Sequence, residues 1–383
     1  MFELLALLLP VAAASGWYVA MRHYTGKHPG PPTRIWTQTY CRGLNYLLHE
    51  KTDQAIEVLA GLLEQNGEII ETHIALGNLF RKRGEVERAI ETHERLLREF
   101  SLDSDQRASV EFELGMDYLR AGLFDRAETI LQGLVSDASH GVAALRQLLQ
   151  IYQQEKEWEK AIQCTRLLFP LGNLPRGESV AQFLCEMAME AIALQRPNHA
   201  REFLERALRE DESCVRASLI KARLELAEGE LEGCVRTLCN VERQQPVYLS
   251  EVLEPIETAL DQLGRQGEFV VFLEGLYTRY SLPGIALRLA RNVAETQGTD
   301  AALAYLLNIL ETNPNLSGLC HALMLASSTE KASHSTLRKL HELSERLETK
   351  APQYLCGQCG FTGMELHWRC PSCQYWGTVV PVA

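Results

Sequence analysis

Small residues recur along this chain at a fixed interval. Ala55 and Ala89 are 34 residues apart, as are Ala127 and Ala161, and Ala200 and Cys234. Ala89 to Ala127 is 38, the extra residues falling in the polar run 101–107. Around these positions the pattern is helical and punctuated by glycine: Leu76-Gly77-x-x-Phe80 leads to Gly84 and Ala89, and Leu114-Gly115-x-x-Tyr118 leads to Gly122 and Ala127. Gly43, Tyr46 and Ala55 give an earlier copy, and Pro246 falls where the unit after Cys234 should close. The physical reading is close packing. Gly or Ala early in the unit and Ala or Cys later let two antiparallel helices approach, while aromatic and Leu side chains fill the gap to the next unit. Each unit hides only half its apolar surface, so the units must stack.

A 34-residue period with Leu-Gly-x-x-Tyr and then Ala is the tetratricopeptide pattern. It assigns residues 36–349 to an all-α repeat superhelix. Six units are clear; two around 250–280 and 284–316 are degenerate, and Leu319 to Leu347 reads as a closing helical pair. Cys164, Cys185, Cys214, Cys234, Cys239 and Cys320 fall within these helices and read as small buried hydrophobes.

The C-terminal segment, residues 352–383, follows another rule. Cys356-Gly-Gln-Cys359 is followed by Cys370-Pro-Ser-Cys373. Two facing CxxC turns make a tetrahedral four-sulfur cage, suited to one zinc or iron ion. Two disulfides or four free thiols fit less well, because disulfide frameworks belong to oxidising compartments. All four positions being protein ligands, the ion reads as structural, holding a segment too short to build its own core. Tyr354, Phe361, Trp368, Tyr375 and Trp376 are more aromatic surface than two knuckles can hide, so the module is expected to dock on the last repeats.

At the other end, residues 2–21 carry only Glu3 as a charge. Twenty helical residues span roughly 30 Å, the thickness of a bilayer core. Residues 1–21 are therefore expected to be an uncleaved transmembrane anchor. A signal peptide is the rival reading, weakened by the lack of an early basic segment. Arg22, Lys27 and Arg34 all follow the span and put the rest on the cytoplasmic side. Ala12, Gly16 and Ala20 would offer a small-residue stripe to another membrane helix. The proline-rich stretch within 22–35 reads as an extended linker.

The net charge is −12, although both termini are slightly basic, so the body is strongly acidic. That argues against a phosphate-backbone footprint and hence against nucleic acid. No phosphate-cradling loop or nucleophile elbow is present, and His341-Glu342 begins an HExxH pattern that Glu345 breaks. The pattern therefore points to a protein-holding surface rather than an enzyme. An electron-transfer protein is a weaker reading, because no flavin or second redox motif accompanies the four cysteines.

Several stretches together resemble one family. They are the opening Met-Phe-Glu-Leu-Leu-Ala-Leu-Leu-Leu-Pro, Leu76-Gly77-Asn78-Leu79-Phe80, Leu148-Leu149-Gln150-Ile151-Tyr152, and Tyr354-x-Cys356-x-x-Cys359-Gly360-Phe361 with Trp368-x-Cys370-Pro371-x-Cys373. This order is similar to that of the lipopolysaccharide assembly protein B family. The resemblance implies a non-enzymatic adaptor at the inner membrane. Such an adaptor presents the deacetylase that commits material to lipid A to a membrane-anchored AAA+ protease, with an inner-membrane sensor protein as a further partner. Scaffolding of lipopolysaccharide synthesis enzymes is the alternative, and self-association into a homodimer is a further expectation. The resemblance also implies a rubredoxin-like module whose metal ligands are Cys356, Cys359, Cys370 and Cys373, and it favours iron over zinc. Gln374 departs from it, standing where glycine is common, so the backbone near one sulfur should be less open.

Overall fold

The computed structural model describes residues 17, 42–43, 45–46, 49, 51–65, 70–171, 176–312, 315–328, 337, 341 and 352–382. The anchor expected over 1–21 lies, apart from Trp17, outside them, as do the linker at 22–35 and most of the closing pair beyond Ser328. Among the described residues no helix is long and apolar enough to cross a membrane. The chain forms two compact units, Met1–Glu155 and Lys156–Ala383.

In the first unit α1 (Thr52–Gln65), α2 (Ile70–Arg83), α3 (Val86–Glu99), α4 (Ser104–Arg120), α5 (Phe124–Gly133) and α6 (Gly141–Gln154) follow one another as packed neighbours. Ala55, Ala89 and Ala127 are fully buried, as the spacing predicts. Their partner glycines are needed for close approach. A Cβ on Gly43 would lie 2.9 Å from Leu59, and one on Gly115 would lie 3.1 Å from Leu131. The 38-residue interval is explained by the start of α4. The inserted run supplies Asp103, whose side chain accepts from Gln106 N at 2.8 Å while Gln106 returns a bond to the Asp103 amide. This is a reciprocal cap that satisfies two otherwise orphaned donors.

One position departs from the apolar pattern. Where its neighbours carry Leu59 and Leu131, α3 carries His93, fully buried, 2.5 Å from Asp117 of α4. Asp117 also accepts from Arg81 of α2 at 2.7 Å, and Arg81 reaches Glu113 at 2.5 Å. Three helices are thus tied by a satisfied polar network.

The second unit comprises α7 (Trp158–Leu168), α8 (Arg176–Ala193), α9 (Pro197–Glu210), α10 (Val215–Ala227), α11 (Leu231–Cys239), the short α12 (Val241–Gln244), α13 (Leu249–Gln262), α14 (Gln266–Tyr280), α15 (Pro283–Gln297), α16 (Thr299–Thr312) and α17 (Leu316–Ser328). The degenerate segments are therefore still helix pairs. Ala161, Ala200 and Cys234 are fully buried, and Ala302 keeps the rhythm where the sequence motif has faded. The turns between paired helices need a left-handed residue. Gly229 and Gly264 supply it at φ +78° and +69°, but Gln195 takes φ +55° at the equivalent place. The 3₁₀ turn Pro246–Tyr248 opens on the predicted closing proline and buries Tyr248.

The last element is a small sheet, β1 (Tyr354–Cys356), β2 (Thr362–Gly363) and β3 (Val379–Pro381), antiparallel throughout, with β1 in the centre. The fold is thus a helical tetratricopeptide-repeat body with a small rubredoxin-like β module.

Candidate metal centre and its seat on the repeats

The two CxxC turns are built alike. β1 delivers Cys356, and the Gly360 amide donates back to the Cys356 carbonyl at 2.9 Å. The second turn is opened by the Arg369–Trp376 bridge, and the Gln374 amide donates to the Cys370 carbonyl at 2.9 Å. Gly360 takes φ +75° and Gln374 φ +62°. The glutamine thus adopts the glycine conformation rather than reshaping the knuckle, at a steric cost of about 1–2 kcal/mol.

The four sulfurs lie within 4.8 Å of one another. Cys359 and Cys370 Sγ are 3.7 Å apart, and Cys356 and Cys373 Sγ 3.8 Å. A tetrahedron with metal–sulfur arms of about 2.3 Å has edges of about 3.8 Å. The cluster is therefore preshaped for one ion, a metal site. Its electrostatics agree. The Thr378 hydroxyl, 3.3 Å from Cys356 Sγ, together with nearby amides, lowers that thiol to about 6. The Phe361 amide lowers Cys359 as well. Cys373 moves the other way, to about 11: the Tyr375 amide pulls it down, but desolvation and the adjacent sulfurs outweigh it. Sulfurs this close cannot all ionise together unless a cation compensates them.

The module is not free-standing. Trp368 stacks on Tyr248, ring centroids 5.6 Å apart at 27°. Trp376 meets Phe183 edge-on at 6.0 Å. The Arg216 guanidinium lies 5.5 Å from the Trp376 ring and 6.0 Å from that of Trp368, while Glu186 holds it at 2.7 Å. Tyr248 donates to the Val379 carbonyl at 3.1 Å, and Tyr354 donates to Glu251 at 2.9 Å. Burial pushes both tyrosines up to about 12. Leu366, Trp368 and Val380 join the core formed by α10, α11, α13, α14 and α15.

The expectation of docking on the last repeats is therefore corrected in place. The side chains that receive the module come from residues 183–251, in the middle of the array. Each first helix of a repeat presents the same face, so nearness in sequence does not select the partner; flat aromatic and guanidinium surfaces do. Phe183, Arg216, Tyr248 and Glu251 were not legible as functional residues. The one available signal was Arg216, a cation in the run Cys214–Ile220, which is otherwise without charge. Tyr375 does not take part and stays 60 % exposed.

The rubredoxin metal binding domain family matches residues 354–381, spanning all four cysteines and both docking indoles. Tetratricopeptide repeat families match residues 72–107 and 185–233. A relative named Lipopolysaccharide assembly protein B from Escherichia coli strain K12 is 36 % identical over 386 residues, covering 100 % of this chain and 98 % of its own. The chain belongs to the lipopolysaccharide assembly protein B family. A second member, from Haemophilus influenzae, is 33 % identical over 396 residues, with 100 % and 99 % covered. Among solved structures, the crystal structure of MamA protein aligns with 49 % of this chain and 96 % of its own, at 17 % identity and TM-score 0.35. In this member of the lipopolysaccharide assembly protein B family, the repeats and the four-cysteine module share one core within the second unit.

Proposed function

We propose that this chain is a non-enzymatic adaptor, anchored in the inner membrane by residues 1–21 with its repeats and module on the cytoplasmic side. It limits lipopolysaccharide synthesis by presenting the lipid A-committing deacetylase to a membrane-bound AAA+ protease, under the control of an inner-membrane sensor protein. The observation that carries this reading is end-to-end similarity to proteins named Lipopolysaccharide assembly protein B. Supporting it are stacked helix pairs suited to holding proteins and an acidic body unsuited to nucleic acid.

Cys356, Cys359, Cys370 and Cys373 are the proposed ligands of one iron or zinc ion, with iron favoured by the resemblance. When bound, the ion supplies a cross-link and a compensating charge, and leaves no coordination position for a substrate. The protein's own residues do the rest. Trp368, Trp376 and Tyr354 fix the module on Arg216, Tyr248 and Glu251, so that the module and the repeats of the second unit present one continuous surface. Confinement to the membrane raises the effective concentration of this surface near membrane-bound partners.

The test is the half-life of the deacetylase in cells with and without this protein, the protease being demonstrably active. Lengthening on loss, with lipopolysaccharide overproduced, is the expected result. An identical half-life would sink the adaptor reading and leave scaffolding of the synthesis enzymes. For the metal, elemental analysis should give one ion per chain, and none in the quadruple Cys→Ser protein.

A further inference from the structure

Two of the repeat cysteines sit side by side beneath the metal module. Cys185 of α8 is fully buried, and Cys214, the residue before α10, is 3 % exposed. Their helices pack on each other, and each thiol acts on the other's proton. Gln182, on the same face of α8 as Cys185, donates its side-chain amide to Cys214 Sγ at 3.8 Å. The seat of the module surrounds the pair. Phe183 and Glu186 flank Cys185 in the chain, and Arg216 is two residues from Cys214. Arg216 also donates to Gln182 Oε1 at 3.3 Å. Gln182 and Arg216 are polar, yet each is only 7 % exposed. Trp368 and Trp376 account for this, because the guanidinium lies against both indoles. Lifting the module would open this polar lining, and the sulfurs behind it, to water.

The two thiols are unequal. Cys185, with the Ala217 amide and Arg216 at the start of α10, holds Cys214 below the ordinary thiol value. The Cys214 side chain and then burial push Cys185 well above it. One sulfur is thus suited to attack and the other to resolve. Cys234, with only burial and Glu225 acting on it, rises to about 11. We propose that Cys185 and Cys214 are a redox pair gated by the metal module, shielded while it is seated and joined in a disulfide by a hydroperoxide when it lifts. With hydrogen peroxide, the Cys214 thiolate attacks one oxygen and the O–O bond breaks. The leaving oxygen takes up a proton and departs as water. Cys185 then attacks the Cys214 sulfenic acid. An S–S bond forms, and the displaced hydroxyl leaves with the Cys185 proton as a second water. Two thiols lose two electrons and the peroxide gains them. Exchange with a dithiol reverses the step, so the bond is transient wherever thiols are kept reduced. This site goes beyond the adaptor reading and does not depend on it.

The test uses the zinc-loaded full chain, in which the four ligand sulfurs are occupied, and the Trp368→Ala variant. Iodoacetamide labelling of each cysteine is followed by mass spectrometry. Labelling of Cys185 and Cys214 should be slow in wild type and about tenfold faster in the variant, because exchange of a covered site follows its opening. Cys164 and Cys234, buried away from the seat, should stay slow in both. Hydrogen peroxide should then give a peptide pair linked through Cys185 and Cys214 in the variant, lost on dithiothreitol treatment and scarce in wild type. Cys185→Ser in the undocked protein should stop at a sulfenic acid on Cys214, trapped by dimedone. If Trp368→Ala fails to fold, Trp376→Ala carries the same test. The gate is overturned if Cys185 and Cys214 label equally fast in docked and undocked protein, or if Cys164 and Cys234 accelerate with them. The pair is overturned if peroxide yields no disulfide between Cys185 and Cys214 in the undocked protein.

Discussion

Replacing Trp368 with Ala should undock the module without emptying it. The half-buried indole contributes three separable effects. Stacking on Tyr248 at 5.6 Å is worth about 0.5–1.5 kcal/mol. The partly desolvated guanidinium of Arg216 at 6.0 Å adds about 1 kcal/mol. Removing roughly 100 Å² of apolar contact forfeits about 2.5 kcal/mol. The largest effect is thus apolar burial, and the total, about 4–5 kcal/mol, lowers the docking constant by roughly one thousand to several thousandfold. Trp368 makes none of the hydrogen bonds to the four sulfurs, and its carbonyl's bond from the Gly377 amide survives the substitution. Metal content should therefore stay at one ion per chain. Two readouts report undocking. Amide exchange in α10 and α13 should accelerate. Tyr248, held at about 12 by burial, should ionise near the ordinary tyrosine value of about 10, adding one phenolate to an ultraviolet titration at pH 11. Unchanged exchange in both helices, with an unchanged titration, would refute the argument that this interface holds the module.

Three further outcomes follow from local geometry. Gln374→Gly should relieve the left-handed strain at φ +62°, net of glycine's entropy about 0.5–1 kcal/mol, and slow metal release to a chelator; faster release would contradict it. Gly77→Ala places a Cβ 2.4 Å from His93 Nε2, whose ring is pinned by Asp117, whereas Gly115→Ala comes no nearer than 3.1 Å, to the flexible end of Leu131. Urea denaturation should show a loss of about 3 kcal/mol or more for the first and about 1 kcal/mol for the second; equal losses would count against a pinned His93. For pH, the folded Cys356 thiol is depressed to about 6, so its stabilisation of the metal-free module is present above the ordinary thiol range and is lost as pH falls through 6. Metal affinity, which needs thiolates, should already fall steeply from pH 8 to 6, because Cys373, held at about 11, must shed a proton to bind, and should fall more steeply still below 6, where Cys356 is protonated too, as read by competition with a chelator at each pH.

The sequence by itself determined the repeat unit and the sulfur cage, because both are set by local spacing. Ala55, Ala89, Ala127, Ala161, Ala200 and Cys234 recur at the helix-pair period and are all fully buried. The two CxxC turns need only their own backbone to aim four sulfurs at one point. Even the 38-residue interval carried its explanation, a capping aspartate in the inserted run. Tertiary structure decided what these parts do to one another. Nothing in the spacing shows that His93 replaces an apolar partner of Gly77 because Asp117 and Arg81, one helix on either side in the chain, arrive to satisfy it. Nor does it show that the terminal aromatics choose Phe183, Arg216 and Tyr248 rather than the adjacent last repeats. Both are contacts between elements far apart in sequence. Their energy depends on which faces meet, and a periodic pattern makes every repeat an equal candidate until particular side chains break the tie.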